Sequence, residues 1–174
     1  KKLFFSDSQV ILKSIKFKNK FLSKNLKLNI IKEQSNSKIS NKLLIKNISI
    51  NSKNIKKNDV FFAIRGKKID GNIFAPEALK KKSSFVIVNS VNKNYPLSKQ
   101  VKVNNSLKFL SKCSSIYREN ISAKIISITG SCGKTTLKEM LGSILKKISR
   151  TTISPKSFNN KYGVPLSLFN LKQN

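Results

Sequence analysis

The chain has 174 residues and 39% hydrophobic content, enough for one ordinary domain, or a small domain with part of another, around a real core. Its 36 lysines and arginines against 7 acids give a formal charge of +29, which would ordinarily point to nucleic acid or an anionic surface. The absence of histidine excludes Ser-His-Asp and Cys-His catalysis and His-ligated metal within the chain.

The lysines are scattered, and only Arg65, Arg118 and Arg150 are arginine, the residue suited to bidentate phosphate and base contacts. A compositional bias is therefore the preferred reading of the charge, with a basic nucleic-acid-binding module as the alternative. Cys113 and Cys132 form no Cys-x-x-Cys pair, so reduced thiols and a cytoplasmic location are expected. Lys1-Lys2-Leu3-Phe4-Phe5 is too short an apolar run for a signal peptide, and no stretch approaches a membrane span. The first residue is not Met, and the chain is expected to be a piece of something longer.

Ser6-Asp7-Ser8-Gln9 has the form of a capping box, and Val10, Ile11 and Ile15 follow at helical spacing, which predicts a first helix. Between Lys16 and Lys42 the pattern blurs, and short strands or loops are expected. Leu43 to Ile50 alternates loosely as a strand, Asn58-Asp59 is turn chemistry, and Val60-Phe61-Phe62-Ala63-Ile64 is an apolar run suited to a buried strand. After a polar loop from Gly66 to Gly71, residues Ile73, Phe74, Ala78 and Leu79 predict a helix with Pro76 in its first turn. Phe85-Val86-Ile87-Val88 reads as a second buried strand and Val101 with Val103 as a further one. Leu107, Leu110, Cys113, Ile116 and Tyr117 mark an amphipathic helix.

Ile125-Ile126-Ser127-Ile128 is a short β-branched run that stops at Thr129-Gly130-Ser131-Cys132-Gly133-Lys134-Thr135-Thr136 and gives way to helical periodicity at Leu137, Met140, Leu141, Ile144, Leu145 and Ile148. Strand, glycine loop and helix in that order make an anion site, because glycines let successive N–H groups converge at the positive end of a helix. Residues 129 to 136 would cradle ATP, Lys134 would reach its β/γ-phosphates, and the Thr135 hydroxyl would ligate Mg²⁺. The general pattern places a further glycine where this chain has Ile128. A plain strand-to-helix turn is the competing reading. Cys132 has no chemical task in such a loop. Thr151 to Ser154 is expected as the next strand, and Gly163-Val164-Pro165 opens a last helix. The alternation of strands and helices predicts an α/β fold with a largely parallel sheet and ligands at the carboxyl ends of its strands.

Three ordered segments resemble the Mur ligases. Thr129 to Thr135, with Leu137-Lys138-Glu139-Met140, is similar to their shortened phosphate loop. Ser157-Phe158-Asn159-Asn160-Lys161-Tyr162-Gly163-Val164-Pro165-Leu166 is similar to their Asn-Asn-x-x-Gly-x-Pro-Leu segment. Asn51-Ser52-Lys53, Asn58-Asp59-Val60-Phe61-Phe62-Ala63, Gly66 and Asp70-Gly71 resemble their N-terminal pattern. The resemblance covers residues 43 to 174. It implies a small N-terminal α/β domain, residues 1–122, followed by the beginning of a P-loop central domain, residues 123–174.

It also implies the chemistry: γ-phosphoryl transfer from ATP to a peptide carboxylate, then attack of an amine on the acyl phosphate, catalysed mainly by positioning and charge neutralisation. Lys-Glu-Met after the loop and the Asn-Asn segment are most similar to the branch that joins D-alanyl-D-alanine to UDP-N-acetylmuramoyl-tripeptide in peptidoglycan synthesis. The alternatives within this architecture are the branch that adds the third residue and a folylpolyglutamate-type ligase. Lys134 and Thr135 are the implied catalytic residues; Ser52, Lys67, Lys68, Ile69, Asn159 and Asn160 are the implied substrate contacts. A monomer is expected, with no specific nucleic-acid partner. Asn51 and Lys53 replace the family's Asp and Arg, so a bidentate Arg contact is lost. None of Asp7, Glu33, Asp59, Asp70, Glu77, Glu119 and Glu139 sits where the family's second metal-binding acid belongs; that acid, the modified lysine and a closing C-terminal domain are expected downstream, and this segment alone is not expected to turn over.

Overall fold

The computed structural model describes residues 10–13, 25–155 and 160–171. Its centre is a four-stranded parallel sheet, preceded by strand β1 (Val10–Lys13) and helix α1 (Leu26–Ser35). The sheet comprises β2 (Ile48–Ser49), β3 (Val60–Phe62), β4 (Phe85–Val88) and β5 (Gln100–Lys102), in that spatial order. Helix α2 (Ala75–Lys80) lies between β3 and β4, and α3 (Ser106–Glu119) follows β5. Then come β6 (Ile125–Ile128), α4 (Lys134–Ile148) and α5 (Gly163–Phe169).

Every residue of β3 and β4 is buried, as a parallel sheet covered on both faces requires. Side chains alternate between two cores. Val60, Phe62, Phe85 and Ile87 point to the face covered by α1, α3 and α5, where Phe62 stacks on Phe109 with ring centroids 6.2 Å apart. Phe61, Ala63, Val86 and Val88 meet Ile55 and the Ala75 and Ala78 face of α2. Cys113 belongs to the first core, and burial pushes its thiol up to about 12.

Helix α5 is part of that core although it lies beyond residue 122. Phe169 meets Tyr117 edge to face at 5.4 Å, and the Tyr117 hydroxyl donates to Leu171 O at 2.7 Å. Asn170 closes the open side of β2: the Ile48 N–H donates to its Oδ1 at 2.7 Å, and its Nδ2 donates to Ile48 O at 2.8 Å. A side-chain amide thus replaces one ladder step at an edge that would otherwise be unpaired.

The structure corrects four sequence expectations. Residues 10–13, expected in a helix, form β1, which pairs antiparallel with β6 from Val10 opposite Ile128 to Lys13 opposite Ile125. Val10 and Ile11 are β-branched, and a strand with a free edge satisfies their backbone better than a short helix; the capping-box residues 6–9 lie outside the described residues. The strand before the glycine loop consequently belongs to a two-stranded antiparallel pair instead of the parallel sheet. Within the stretch expected as strands or loops, residues 26–35 are helix α1; Leu26, Leu28 and Ile30 alternate with Lys27 and Asn29 as in a strand, although buried Leu28 and Ile31 stand at helical spacing. Thr151 to Ser154 forms no strand; Ile153 instead packs on α4, where a Cβ on Gly142 would meet Ile153 Cδ1 at 2.2 Å. β-propensity has no effect without a neighbouring edge to pair with.

Candidate functional site

The glycine loop runs from the end of β6 into α4 with the backbone the sequence asks for. Gly130 has φ 150° and Gly133 has φ 72°, and Gly133 is the residue from which the helix starts. The first helical bond is donated by the Leu137 N–H to Gly133 O at 2.9 Å. The N–H groups of the first turn therefore have no carbonyl within the helix, no side chain caps them, and no acid stands in that turn. Lys146 and Lys147 occupy the last turn, the favourable end for cations.

The Lys134 ammonium folds back over the loop, donating to Gly130 O and, at 3.0 Å, to Ser131 O. It thus sits at the loop's mouth. Thr129, Ser131, Cys132, Gly133, Thr135 and Thr136 are exposed. An anion of phosphate chemistry fits this arrangement: uncapped first-turn N–H groups, one cation and the positive end of a 15-residue helix. Thr135 offers an exposed hydroxyl beside it, the donor type that a phosphate-bound Mg²⁺ takes.

A second group of expected residues lies at the carboxyl end of the parallel sheet. After β3 the chain makes a tight hairpin closed by the Arg65–Asp70 bridge and by the Gly66 N–H donating to Ile69 O at 2.9 Å, which puts Lys67, Lys68 and Ile69 at its exposed tip. Asp70 Oδ1 accepts from the Asn72 N–H at 2.9 Å, starting the next turn. A Cβ on Gly71 would lie 2.5 Å from Ile64 O, so only glycine permits this close return. The Asp-Gly motif therefore builds the hairpin.

Ser52 is buried, and its hydroxyl donates to Glu77 Oε2 at 2.6 Å. That bond first, and the Lys81 ammonium at 2.9 Å second, hold the Glu77 carboxyl below its usual range. Lys81 also donates to Ser52 O and Lys53 O, so the whole turn is clamped onto α2. Asn51 Oδ1 accepts from the Lys53 N–H at 3.0 Å, keeping the cap that an aspartate would make. Buried Asp59 likewise accepts from the N–H groups of Asn47 and Lys56. Asn160 Oδ1 accepts from the N–H groups of Tyr162 and Gly163 at the start of α5. Asn159 lies outside the described residues.

Between the hairpin and the start of α5 a crevice of about 350 Å³ opens above the sheet, lined among others by Arg65, Asn89, Asn104, Lys161 and Tyr162. None of these was singled out from sequence. The available signal was positional: Arg65, Asn89 and Asn104 each follow a strand at its carboxyl end, where open α/β sheets bind ligands. Another cavity, about 460 Å³, lies near the amino end of β2 and is lined by Lys27, Lys46, Tyr117 and Arg150 among others. There the Lys27 ammonium stands 5.4 Å from the Tyr117 ring centre, and burial lowers it to about 8. Among the described residues no helix is long and apolar enough to cross a membrane.

Sheet, crevice and loop define the class: an α/β protein with a phosphate-type loop opening a helix beside a ligand crevice. Comparison with known proteins carries this further. Residues 44–121 match the family model for the Mur ligase family, catalytic domain, and residues 128–174 that for the Mur ligase middle domain. The UDP-N-acetylmuramoyl-tripeptide–D-alanyl-D-alanine ligase of Buchnera aphidicola subsp. Acyrthosiphon pisum is 41% identical over 132 residues, covering 75% of this chain and 28% of the relative. The enzyme of the same name from Rickettsia prowazekii is 38% identical, covering 75% and 29%. A crystal structure of the MurF ligase from Thermotoga maritima in complex with ADP superposes with a TM-score of 0.63 at 34% identity, covering 77% of this chain and 31% of that one. The chain belongs to the Mur ligase family. It spans less than a third of the length of these relatives.

Proposed function

We propose that the protein carrying this chain is an ATP-dependent, ADP-forming ligase that joins D-alanyl-D-alanine to UDP-N-acetylmuramoyl-tripeptide through an acyl phosphate, a cytoplasmic step of peptidoglycan precursor synthesis. The observation that carries this reading is the loop of residues 130–135, which leads into the uncapped start of α4 and over which the Lys134 ammonium folds. Support also comes from the relatives so named and from the relative that holds ADP.

In this reading the nucleotide supplies the phosphoryl group that makes a carboxylate reactive. The chain's own residues position and neutralise. Main-chain amides of residues 130 to 135 grip the diphosphate, with Thr129 and Thr136 flanking them. Lys134 would neutralise phosphate oxygens in place of its bonds to the carbonyls of Gly130 and Ser131, and Thr135 would hold Mg²⁺. Lys67, Lys68 and Ile69 on the hairpin tip receive the uridine diphosphate end, with Ser52 shaping the turn clamped onto α2, while Asn159 and Asn160 orient the reacting end. Residues 1–122 form the substrate-binding unit and 123–174 the start of the ATP unit, with α5 packed back across the division. The working protein is a monomer.

The test is product analysis of the full-length protein. ADP should form only when UDP-N-acetylmuramoyl-tripeptide and D-alanyl-D-alanine are both present; AMP as product, or turnover without the dipeptide, refutes the proposal. Lys134→Ala should lower kcat at least a hundredfold, since a lost charge contact to a transferring group is worth roughly 3 kcal/mol.

A further inference from the structure

The crevice at the carboxyl end of the sheet carries two cations and no acid on its lining. Arg65 enters it from the base of the hairpin after β3, and Lys161 from the segment before α5, far apart in sequence and on separate elements. Neither forms an ion pair with an acid among the described residues. Asp70, the acid across the hairpin from Arg65, accepts both the N–H and the Nδ2 of Asn72.

The wall between the two cations is fixed. Asn89 donates through Nδ2 to Val103 O at 3.3 Å and Asn104 O at 3.0 Å, and its Oδ1 accepts from the buried Ser106 hydroxyl at 3.0 Å. Its own N–H donates to Asn72 Oδ1 at 2.9 Å, which ties the turn that follows the hairpin to the end of β4. On the other side the Lys161 ammonium rests 5.2 Å from the Tyr162 ring centre. A locked amide floor thus separates a planar guanidinium fork from a point cation. Such a pair suits an oxyanion that the fork can take side-on while the ammonium neutralises it.

We infer that Arg65 and Lys161 together hold an anionic group of the nucleotide-linked substrate, of phosphate or carboxylate chemistry, so that one ligand bridges the hairpin and the segment leading into α5. The inference rests on the ligase reading given above and adds to it two residues that would set substrate affinity without touching ATP.

Calorimetric titration of the full-length protein separates the outcomes. UDP-N-acetylmuramoyl-tripeptide should bind Arg65→Ala and Lys161→Ala each about tenfold more weakly than wild type, with ATP affinity unchanged and Arg65→Lys recovering part of the loss. Titration with UDP alone then distinguishes the source. An equal loss for UDP identifies the anion as phosphate; a loss confined to the tripeptide-bearing nucleotide identifies a carboxylate of the sugar-peptide part. Lys93→Ala, an exposed charge outside the crevice, controls for the general positive field and should leave binding unchanged. The inference is overturned if the Arg65→Ala/Lys161→Ala double variant binds the substrate like wild type, or if Lys93→Ala weakens binding equally. Failure of the wild-type protein itself to bind the nucleotide overturns the ligase reading and takes this inference with it.

Discussion

The parallel sheet and the β6–α4 unit are written in similar apolar language but are folded in different surroundings. Val60, Phe62, Phe85 and Ile87 are at most 1% exposed, because α1, α3 and α5 cover one face and α2 the other. On α4, by contrast, Met140, Ile144 and Ile148 are 59%, 58% and 76% exposed, and Ile126 of β6 is at the surface too. Local pattern suffices to make a helix and aim a glycine loop, since those bonds close within a few residues. Burial needs a second layer, which the described residues give to one unit and not the other.

This contrast can be tested by mutation. The largest effect is expected from Phe62→Ala, which removes a fully buried ring stacked on Phe109 and should destabilise the 174-residue chain by about 3–5 kcal/mol in urea denaturation. Ile144→Ala in the same experiment should cost less than about 0.5 kcal/mol; equal losses would mean that α4 is buried as deeply as the sheet.

Next in size is Asn170→Ala, which leaves the N–H and C=O of Ile48 without the amide that closes β2. A loss of about 2 kcal/mol is expected, together with faster hydrogen exchange at Ile48. Gly133→Ala sharpens the other side. Its Cβ would meet no atom within 4 Å, so the whole penalty comes from the left-handed backbone at φ 72° and should be about 1–2 kcal/mol. ATP affinity should fall more than stability does, because the strain is relieved by moving the loop.

A pH dependence bears on the same contrast. Burial lowers the Lys27 ammonium from 10.5 to about 8, against the attraction of Asp59. Between those values the unfolded chain binds more protons than the folded one, so this lysine makes stability rise with pH across that window. Lys27→Met should remove that part of the rise and be the more stable protein at neutral pH, as read from urea midpoints.

Much of the architecture was legible from particular stretches. Phe85–Val88 is a strand at the boundaries its apolar run gave, and the periodicity from Leu107 to Tyr117 lies within α3. The loop was legible because glycine spacing acts through local backbone. Ser52, Asp59, Asp70 and Asn160 illustrate what was not. All four stand in a family motif, and in the fold each makes hydrogen bonds that fasten a turn or helix start. Arg65 stands outside the family pattern and Lys161 at one of its unspecified positions, yet the two share a crevice. Motif membership does not reveal which polar groups are already partnered.

The sequence alone determined the order of strand, glycine loop and helix, the two apolar runs of the sheet and the family, because these depend on neighbours within a turn or two of chain. Only the tertiary structure decided that β6 pairs with β1, that α5 joins the N-terminal core and that two distant cations face one crevice. Each of those depends on which surfaces and edges remain unsatisfied once the rest has packed, and that competition has no signature in a local pattern.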